Sequence, residues 1–164
     1  MLVAVFSDTH DNIENLKKLI EKINEKNIEI CFHCGDIVSP FTLKYFKKLN
    51  SKVYVVFGNN DGDKVNLLKS APENVKFFNL YGEVEIENRK IAFTHFNFFA
   101  YALAFTQKYD FVFFGHTHRK YKEKIGRTLL LNPGDIFGLF EEPSFAIVDL
   151  KNEEVSFEKI GPVV

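Results

Sequence analysis

The sequence has no tryptophan, one methionine and only two cysteines in 164 residues. So few cysteines exclude a small disulfide-stapled scaffold, because such folds need several bridges. No stretch approaches the ~18 consecutive apolar residues that a membrane-spanning helix needs. The first residues lack the basic and apolar zones of a signal peptide. We therefore expect a cytoplasmic protein with no membrane partner.

Neither charge sign dominates, because the formal net charge is −1 at pH 7. Nothing in the overall charge therefore predicts attraction to nucleic acid or to a membrane surface. Hydrophobic residues make up 46% of the chain, including 19 phenylalanines, which is enough to build a sizeable core. At this length we expect a single domain spanning residues 1–164.

The two cysteines, Cys31 and Cys34, form a C-x-x-C pair inside an apolar run. A redox motif would place the pair at the start of a helix, and a zinc site would need a second pair. Neither condition is met here. The interpretation that remains favoured is a pair of buried structural thiols, since free cysteine behaves as a small hydrophobe.

The first half of the chain alternates apolar strands with amphipathic helices. Residues 2–6 are continuous, apolar and rich in β-branched types, which is typical of a strand covered on both faces. Asp11 or Asn12 can cap the helix that follows, and Ser39-Pro40 suits the start of the next one. The predicted strands are 2–6, 28–33 and 53–57, and the predicted helices cover 13–23, 40–49 and 64–70.

The second half is predicted to be mostly β-structure. Residues 83–87 alternate strictly between polar and apolar types, as a strand with one wet face does. The turn at Asn88-Arg89 then predicts a hairpin. Further strands are predicted at 75–78, 90–94, 111–114, 120–125, 128–131, 144–150 and 155–160, with an apolar helix at 98–107. The fold class is α/β (α+β), with two sheets packed together and helices outside.

Residues that can bind metals follow the predicted strands at their carboxyl ends. The most conspicuous stretch is Gly115-His116-Thr117-His118, where two histidines point the same way if the backbone stays extended. Ligands in open α/β sheets bind at the carboxyl ends of strands. The set comprises Asp8, His10, Asp36, Asn59, His95, His116 and His118.

Each of these features has an ordinary structural explanation when taken alone. Asp8 and His10 could brace a loop, Gly35-Asp36 could form a turn, and His95 could be a buried histidine with a hydrogen-bond partner. Five such signals in order, each at the end of an apolar strand, are hard to explain by turn chemistry. Carboxylates with imidazoles suit Mn, Fe, Co, Ni or Zn, and seven donors suit two ions that share a carboxylate. Two metal ions held close together in this way can bind a hydroxide between them and bind a phosphate.

These motifs resemble the signature of the calcineurin-like metallophosphoesterases, and Asn132-Pro133-Gly134-Asp135 resembles their small YfcE-like phosphodiesterase subfamily. The resemblance covers essentially the whole chain. It implies a two-sheet sandwich flanked by helices and a site for two divalent ions, with manganese or nickel expected and cobalt, iron or zinc as alternatives. The implied reaction is phosphodiester hydrolysis, in which a hydroxide bridging the two metals attacks phosphorus in line.

The resemblance also implies which residues serve each ion. Asp8, His10, Asp36 and His118 would hold one metal, and Asp36 would bridge to the second. Asn59, His95 and His116 would complete the second site. Asp36 and Asn59 would be the catalytic pair beside the hydroxide, and Asn59 would also face the substrate phosphate.

This sequence departs from the family pattern at three positions. Asn60 stands where many members have a histidine that protonates the leaving group, and an amide cannot do this at neutral pH. We therefore expect activated esters and diesters to be better substrates than monoesters with poor leaving groups. Phe96 follows His95 where glycine is frequent, and Asp135 replaces a usual serine, which adds a carboxylate that could weaken anion binding.

Two residues are further candidates for contact with a small phosphodiester substrate, which could be a nucleotide. These are Asn60 and Arg119, the latter adjacent to His118. Lys120, Lys122 and Lys124 alternate along a strand, and we interpret them as a solvated strand face rather than a phosphate-attracting lip.

A different class of function is also compatible with the resemblance. A retromer subunit shares this fold, binds partner proteins and has an incomplete site. An exposed apolar patch at residues 137–140 would favour such a scaffolding module, whereas a metal-dependent rate would favour the enzyme. A homo-oligomer, most simply a dimer, is compatible with either alternative.

Overall fold

The computed structural model describes residues 1–161. The last three residues of the predicted domain, 162–164, lie outside the described part of the chain. The α-helices of the described chain are α1 (Ile13–Glu25), α2 (Pro40–Leu43), α3 (Lys64–Lys69) and α4 (Asn97–Phe105). Its strands are β1 (Leu2–Phe6), β2 (Ile30–His33), β3 (Lys52–Val55), β4 (Val75–Phe77), β5 (Tyr81–Ile86), β6 (Arg89–Thr94), β7 (Phe111–Phe113), β8 (Lys120–Ile125), β9 (Thr128–Pro133), β10 (Ser144–Asp149) and β11 (Glu154–Lys159).

The strands form two sheets of different topology. The six-stranded sheet has the order β11-β10-β1-β2-β3-β4, in which β1 to β4 run parallel and β10 lies antiparallel to β1. The five-stranded sheet has the order β5-β6-β7-β9-β8, with β6, β7 and β9 parallel at its centre. Because β1 is flanked on both edges and covered on both faces, residues 3–6 are completely buried. Its continuous apolar sequence follows from that position.

The two sheets pack face to face with helices outside, so the predicted fold class is confirmed. The layer between the sheets joins side chains such as Val5 and Phe32 of the first sheet to Phe93 and Phe113 of the second. The outer face of the first sheet packs on α1 through residues such as Leu16 and Leu19. The outer face of the second sheet packs on α4 through small residues, Ala100 and Ala104.

The cysteine prediction also agrees with the structure. Cys31 and Cys34 are free thiols, and both are completely buried, one on each face of the first sheet. Burial raises the pKa of Cys31 to about 12, because a thiolate cannot be solvated there. Neither thiol therefore has the character of a reactive or metal-binding cysteine.

One predicted helix differs in form. The segment expected to be a single helix over residues 40–49 is a short α2 followed by a 3₁₀ helix, Lys44–Lys48. Ser39 occupies the cap position, but its hydroxyl donates to Asp11 Oδ1 at 2.9 Å instead of capping the helix. Asn12 does cap α1, since its Oδ1 accepts from the Asn15 backbone N–H at 3.1 Å. The spacing of apolar residues does not distinguish an α-turn from a 3₁₀ turn in so short a segment.

No helix in residues 1–161 is long and apolar enough to cross a membrane.

Candidate metal centre

The ends of five strands meet at one edge of the sandwich and bring the predicted ligands together. Asp8, Asp36 and Asn59 follow β1, β2 and β3 of the first sheet, while His95 and the later histidines follow β6 and β7 of the second. Among the described residues, two sets of three donor atoms are each clustered within 4.8 Å. One set comes from Asp8, His10 and His118, and the other from Asp8, Asp36 and His95.

Asp36 lies between two of the histidines. Its Oδ2 is 3.5 Å from His10 Nε2 and 3.4 Å from His95 Nε2. The main chain around Asp36 is held in place because His10 N–H donates to the Asp36 carbonyl at 3.1 Å. This carboxylate is almost completely buried, with 1% of its surface exposed. One oxygen of this buried carboxylate therefore faces two imidazoles at nearly equal distances.

Asp8 presents one carboxylate oxygen to the cluster and uses the other for support. Its Oδ2 accepts from Ser7 Oγ at 2.5 Å and from the His116 backbone N–H at 3.0 Å. Its Oδ1 lies 3.7 Å from His10 Nε2 and 3.4 Å from His118 Nε2. Within the described chain, Asp8 Oδ1 and His10 Nε2 are buried without any hydrogen-bond partner. Buried polar atoms are nearly always paired, so these two atoms have the environment expected of metal ligands.

The hydrogen bonds of His95 determine which of its nitrogens faces the centre. His95 Nδ1 lies 2.7 Å from the Cys34 carbonyl, which can only accept, so Nδ1 carries the proton. His95 Nε2 then faces Asn59 Oδ1 at 2.9 Å and His116 Nδ1 at 3.2 Å. Several acceptor atoms converging on one point repel one another unless a cation or an extra proton lies among them.

The site residues adopt an unusual backbone conformation. Five of them have positive φ, with Asp8 at 54°, His10 at 42°, Asp36 at 61°, His116 at 68° and His118 at 55°. The two histidines were expected to point the same way on an extended backbone. That expectation of an extended backbone is wrong. Each residue instead takes the left-handed conformation, which costs free energy and is concentrated at functional sites. These left-handed residues lie in the loops that follow β1, β2 and β7.

Glycine is needed beside the ligands because no other residue fits. A Cβ atom added to Gly115 would lie 2.0 Å from Ser7 Oγ and 2.6 Å from Asp8 Oδ2. A Cβ atom at Gly35, where φ is +94°, would lie 2.7 Å from His95 Nδ1. Gly115 does not have positive φ, so it is required for close approach to Asp8 and not for a left-handed backbone.

The charges of the centre are coupled. Burial disfavours the charged form of Asp36, but the adjacent His95 imidazole and the two hydrogen bonds from Asn60 outweigh burial and hold the pKa of Asp36 well below its usual value. Burial also opposes protonation of His95, yet Asp36 outweighs it and raises the pKa of His95. The neighbouring Asp8 carboxylate, 3.7 Å away, raises the pKa of His10. The protein therefore maintains negative charge at the centre and favours a positive group there.

Two further carboxylates hydrogen-bond to residues of the centre: Asp61, which sequence reasoning did not assign to it, and Asp135, which was expected near it as a carboxylate that could weaken anion binding. Asp61 is buried and accepts backbone N–H bonds from Asp36 at 2.9 Å, Val38 at 2.8 Å and Gly58 at 2.7 Å, which ties the β2 and β3 loops together. Asp135 Oδ2 accepts from His118 Nδ1 at 2.7 Å. Burial raises the pKa of Asp61, although the three N–H bonds act against this effect. The turn sequence around Asp61 gave no local signal of this role.

The two predicted substrate contacts lie at the rim of the centre. Asn60 is exposed, but its side-chain amide donates to Asp36 Oδ2 at 2.7 Å and its backbone N–H donates to Asp36 Oδ1 at 2.8 Å. The exposed Arg119 guanidinium lies over the Phe140 ring, 5.0 Å from its centroid. The structure thus brings together all seven predicted ligands, places Asn60 against Asp36 and leaves Arg119 facing outward.

The donor set fits divalent metal ions. Two carboxylates, four imidazoles and one amide oxygen are present, and no thiol contributes to either donor group within residues 1–161. Oxygen and nitrogen donors of this kind suit borderline divalent ions. Asp135 on His118 and the Cys34 carbonyl on His95 supply the outer hydrogen bonds that orient metal-binding histidines.

Comparisons with known proteins agree with this description. The profile of the calcineurin-like phosphoesterase superfamily domain matches residues 1–153. A phosphodiesterase of Methanocaldococcus jannaschii is 37% identical over 161 residues, covering 94% of this chain and 96% of that protein. The solved structure of an archaeal phosphodiesterase superposes with a TM-score of 0.89 and 34% identity, covering 97% of this chain and 99% of the other. YfcE, a phosphoesterase of E. coli, has the same fold, with a TM-score of 0.73 at 17% identity over 98% of this chain and 100% of its own.

Proposed function

Because the chain belongs to the calcineurin-like phosphoesterase superfamily, as its motifs predicted, we propose that it is a metal-dependent phosphodiesterase. The observation that carries this proposal is the convergence of buried acceptor atoms around Asp36. Asp8 Oδ1 and His10 Nε2 have no partner among the described residues, and His95 Nε2 faces the Asn59 amide oxygen, a further acceptor, at 2.9 Å. Such an arrangement is costly in a protein unless a cation binds there.

The centre holds two divalent ions in this proposal. Asp36 would serve both ions, since its Oδ2 lies 3.5 Å from His10 Nε2 and 3.4 Å from His95 Nε2. Asp8, His10 and His118 complete one site, and Asn59, His95 and His116 complete the other. Manganese or nickel is proposed as the resident metal, with cobalt, iron and zinc as alternatives, because the donors are nitrogen and oxygen atoms of intermediate hardness.

When bound, two divalent ions supply the acidity that makes water nucleophilic at neutral pH and the positive charge that stabilises the phosphoryl oxygens. The chain itself orients the substrate. Asn59 is exposed at the rim with its amide oxygen 2.9 Å from His95 Nε2, so it can meet a phosphate that enters the centre. Asp36, held by Asn60, keeps its negative charge throughout.

The chain favours phosphodiesters over monoesters with poor leaving groups in this proposal. The position after Asn59 carries Asn60, whose amide cannot donate a proton to a departing alkoxide at neutral pH. Its amide is also engaged with Asp36. Substrates whose leaving groups depart without protonation should therefore react fastest.

We further propose that residues 1–164 form one domain, that the enzyme is cytoplasmic and that it forms a dimer. The substrate is a small phosphodiester. The alternative proposal, a scaffolding module with a weak or inactive site, rests on exposed apolar residues near the centre, of which Phe140 has 61% and Leu139 49% of its surface exposed.

The deciding experiment is hydrolysis of bis-p-nitrophenyl phosphate and p-nitrophenyl phosphate by chelated protein supplied in turn with Mn, Ni, Co, Fe, Zn and Mg. We expect diester turnover with at least one transition metal and much slower monoester turnover. In His116→Ala, one ligand is lost and diester turnover should fall by at least about a hundredfold, since metal ligands contribute several kcal/mol to the transition state. His116 is exposed, so this substitution leaves the core intact.

The control is the free energy of unfolding of metal-free His116→Ala, which should match that of the metal-free wild type. Full turnover by His116→Ala with metal present would contradict the assignment. Two bound ions per chain with no turnover of either ester would favour the scaffolding alternative.

A further inference from the structure

A cleft opens beside the candidate metal centre on the side of Asn59. It encloses about 380 Å³, which lies within the range of small-molecule sites. Asn59 belongs both to the proposed ligand set and to the wall of this cleft, so a group bound in the cleft can be attached to a phosphate at the centre. The residues that matter for its chemistry are Asn59, Lys64, Asn79, Leu80 and Phe96.

Phe96 forms the apolar wall nearest the metal centre. Its ring centroid is 5.1 Å from that of His95 and 5.2 Å from that of His116, and both contacts are edge-on. The contacts with two site histidines fix the ring next to the reacting position. Leu80, with 39% of its surface exposed, contributes a second apolar face to the same cleft. A flat aromatic group can therefore pack in the cleft without leaving the phosphate.

Lys64 supplies a cation to the cleft. Its ammonium lies over the Phe57 ring, 5.4 Å from the centroid, and no carboxylate of residues 1–161 lies within 4.0 Å of it. Asp61 also lines the cleft, but both its oxygens accept backbone N–H bonds. The cleft thus offers an unpaired positive charge beyond its apolar wall.

We propose that this cleft binds one ester arm of the substrate, and that this arm is a nucleoside carrying a second phosphate. The base packs against Phe96 and Leu80, and the second phosphate meets Lys64. Stacking on an aromatic side chain accepts every base, so the cleft selects nucleotides without selecting a sequence. The substrate class is then the oligonucleotide phosphodiester. This inference rests on the proposed phosphodiesterase activity and gives it a substrate.

The test measures the affinity of the metal-loaded protein for three probes by calorimetry at low ionic strength. The probes are methyl phosphate, thymidine 5′-monophosphate and thymidine 3′,5′-bisphosphate. We expect affinity to rise about tenfold when the nucleoside is added, from stacking. It should rise about threefold more when the second phosphate is added, and this second step should vanish at high salt because the pair with Lys64 is exposed.

Each step should depend on one residue. Phe96→Ala should remove the first step and Lys64→Gln the second. Because Phe96 also touches His116, the comparison is between probes within one variant, so that a general loss of phosphate affinity cancels. Phe140→Ala is the matched control for the first step, since Phe140 also contacts a site histidine, with centroids 6.2 Å apart on His118. Lys76→Gln is the matched control for the second, since its ammonium lies over Phe78 at 5.2 Å but outside the cleft.

Equal affinities for all three probes in the wild type would overturn the inference. It would also be overturned if Phe140→Ala lost the first affinity step as fully as Phe96→Ala, or if Lys76→Gln lost the second as fully as Lys64→Gln. Turnover of bis-p-nitrophenyl phosphate is measured on the same preparations. If the protein hydrolyses the diester but binds all three probes equally, the proposed role of the cleft is rejected and the phosphodiesterase activity is retained. If the affinities rise stepwise but no metal supports turnover, the nucleotide-binding role of the cleft is retained and the proposed enzymatic activity is rejected.

Discussion

Asp135 shows how a single buried carboxylate can determine the orientation of a histidine in the candidate metal centre. Its Oδ2 accepts from His118 Nδ1 at 2.7 Å and from the Leu139 backbone N–H at 2.9 Å. The proton of His118 therefore lies on Nδ1, which leaves Nε2 to face Asp8 Oδ1 at 3.4 Å. Because only 1% of Asp135 is exposed, it acts through His118 and has little direct access to a substrate anion. The loop with Leu139 is tied to the metal centre by the same carboxylate.

We predict that Asp135→Ala lowers divalent metal affinity by about 10- to 100-fold, the usual effect of losing an outer partner of a ligand histidine. Asp135→Asn should lie between alanine and the wild type, because its amide oxygen still accepts from His118. Calorimetric titration with Mn or Ni measures the affinity. The ¹⁵N shifts of the His118 ring in the metal-free protein report the tautomer independently of activity, and an unchanged tautomer in Asp135→Ala would contradict this role.

At the scale of elements, Asp110 joins three strands of the second sheet at the edge away from the metal centre. Its Oδ2 accepts from the Lys90 backbone N–H at 2.9 Å, which connects it to β6. Its Oδ1 lies 2.8 Å from Arg127 Nη2, just before β9, and its own chain continues into β7. Burial disfavours the charged form of Asp110 and so tends to raise its pKa. The hydrogen bonds from Arg127 and Lys90 outweigh burial, and the pKa of Asp110 is lowered. The carboxylate thus aligns the starts of the parallel strands whose other ends bear the site histidines.

A lowered pKa makes this contribution to stability dependent on pH. The unfolded chain has an aspartate pKa of about 3.9. The stabilisation by Asp110 is therefore complete above that value and is lost as pH falls towards the lower pKa of the folded state. We predict that Asp110→Asn is destabilised relative to the wild type at pH 6 and that the difference shrinks towards pH 3. Urea denaturation across this range measures it.

The matched control for that series is Glu73→Gln, since Glu73 is exposed and forms no ion pair among the described residues. The free energy of unfolding of Glu73→Gln should stay close to that of the wild type at every pH in this range. A constant difference between wild type and Asp110→Asn from pH 6 to pH 3 would show that the carboxylate charge is not responsible.

At the scale of the whole molecule, the candidate metal centre takes its residues from both sheets of the sandwich. Asp8 and Asp36 come from the first sheet, while His95, His116 and His118 follow strands of the second. Metals bound at this edge would therefore hold the two sheets together and would be released when either sheet unfolds. Binding to the folded state alone stabilises that state by mass action.

We predict that chelation lowers the melting temperature. An ion present at 100 times its dissociation constant adds about 2.7 kcal/mol to the free energy of unfolding, and for a chain of this size each kcal/mol corresponds to about 2–4 °C. The expected decrease is thus about 5–10 °C for one site, measured by calorimetry with and without a chelator. A smaller decrease is expected in His116→Ala, and an equal melting temperature with and without metal would contradict binding at this edge.

The sequence alone was sufficient to predict much of this protein. The buried run at β1, the alternation of β5 and the polar residues that follow each apolar strand are local patterns, because periodicity and turn chemistry depend on neighbouring residues. They predicted the two-sheet architecture, which is confirmed. They also predicted the candidate ligands, which the structure brings to one edge while their binding of metal stays a prediction. The family resemblance, which is confirmed, came from the same motifs.

Only the tertiary structure decided how those pieces combine. The pairing of β10 with β1 joins strands far apart in the sequence, and β9 pairs with β7 although β8 lies between them in the chain. No local pattern specifies such partners. The left-handed backbone of the ligands, the N–H bonds to Asp61 and the contact of Asp135 with His118 also depend on non-local packing. The amino-acid types at strand ends indicated the chemistry, whereas the tautomers, the close approach at Gly115 and the cleft beside Phe96 follow from the way two sheets meet.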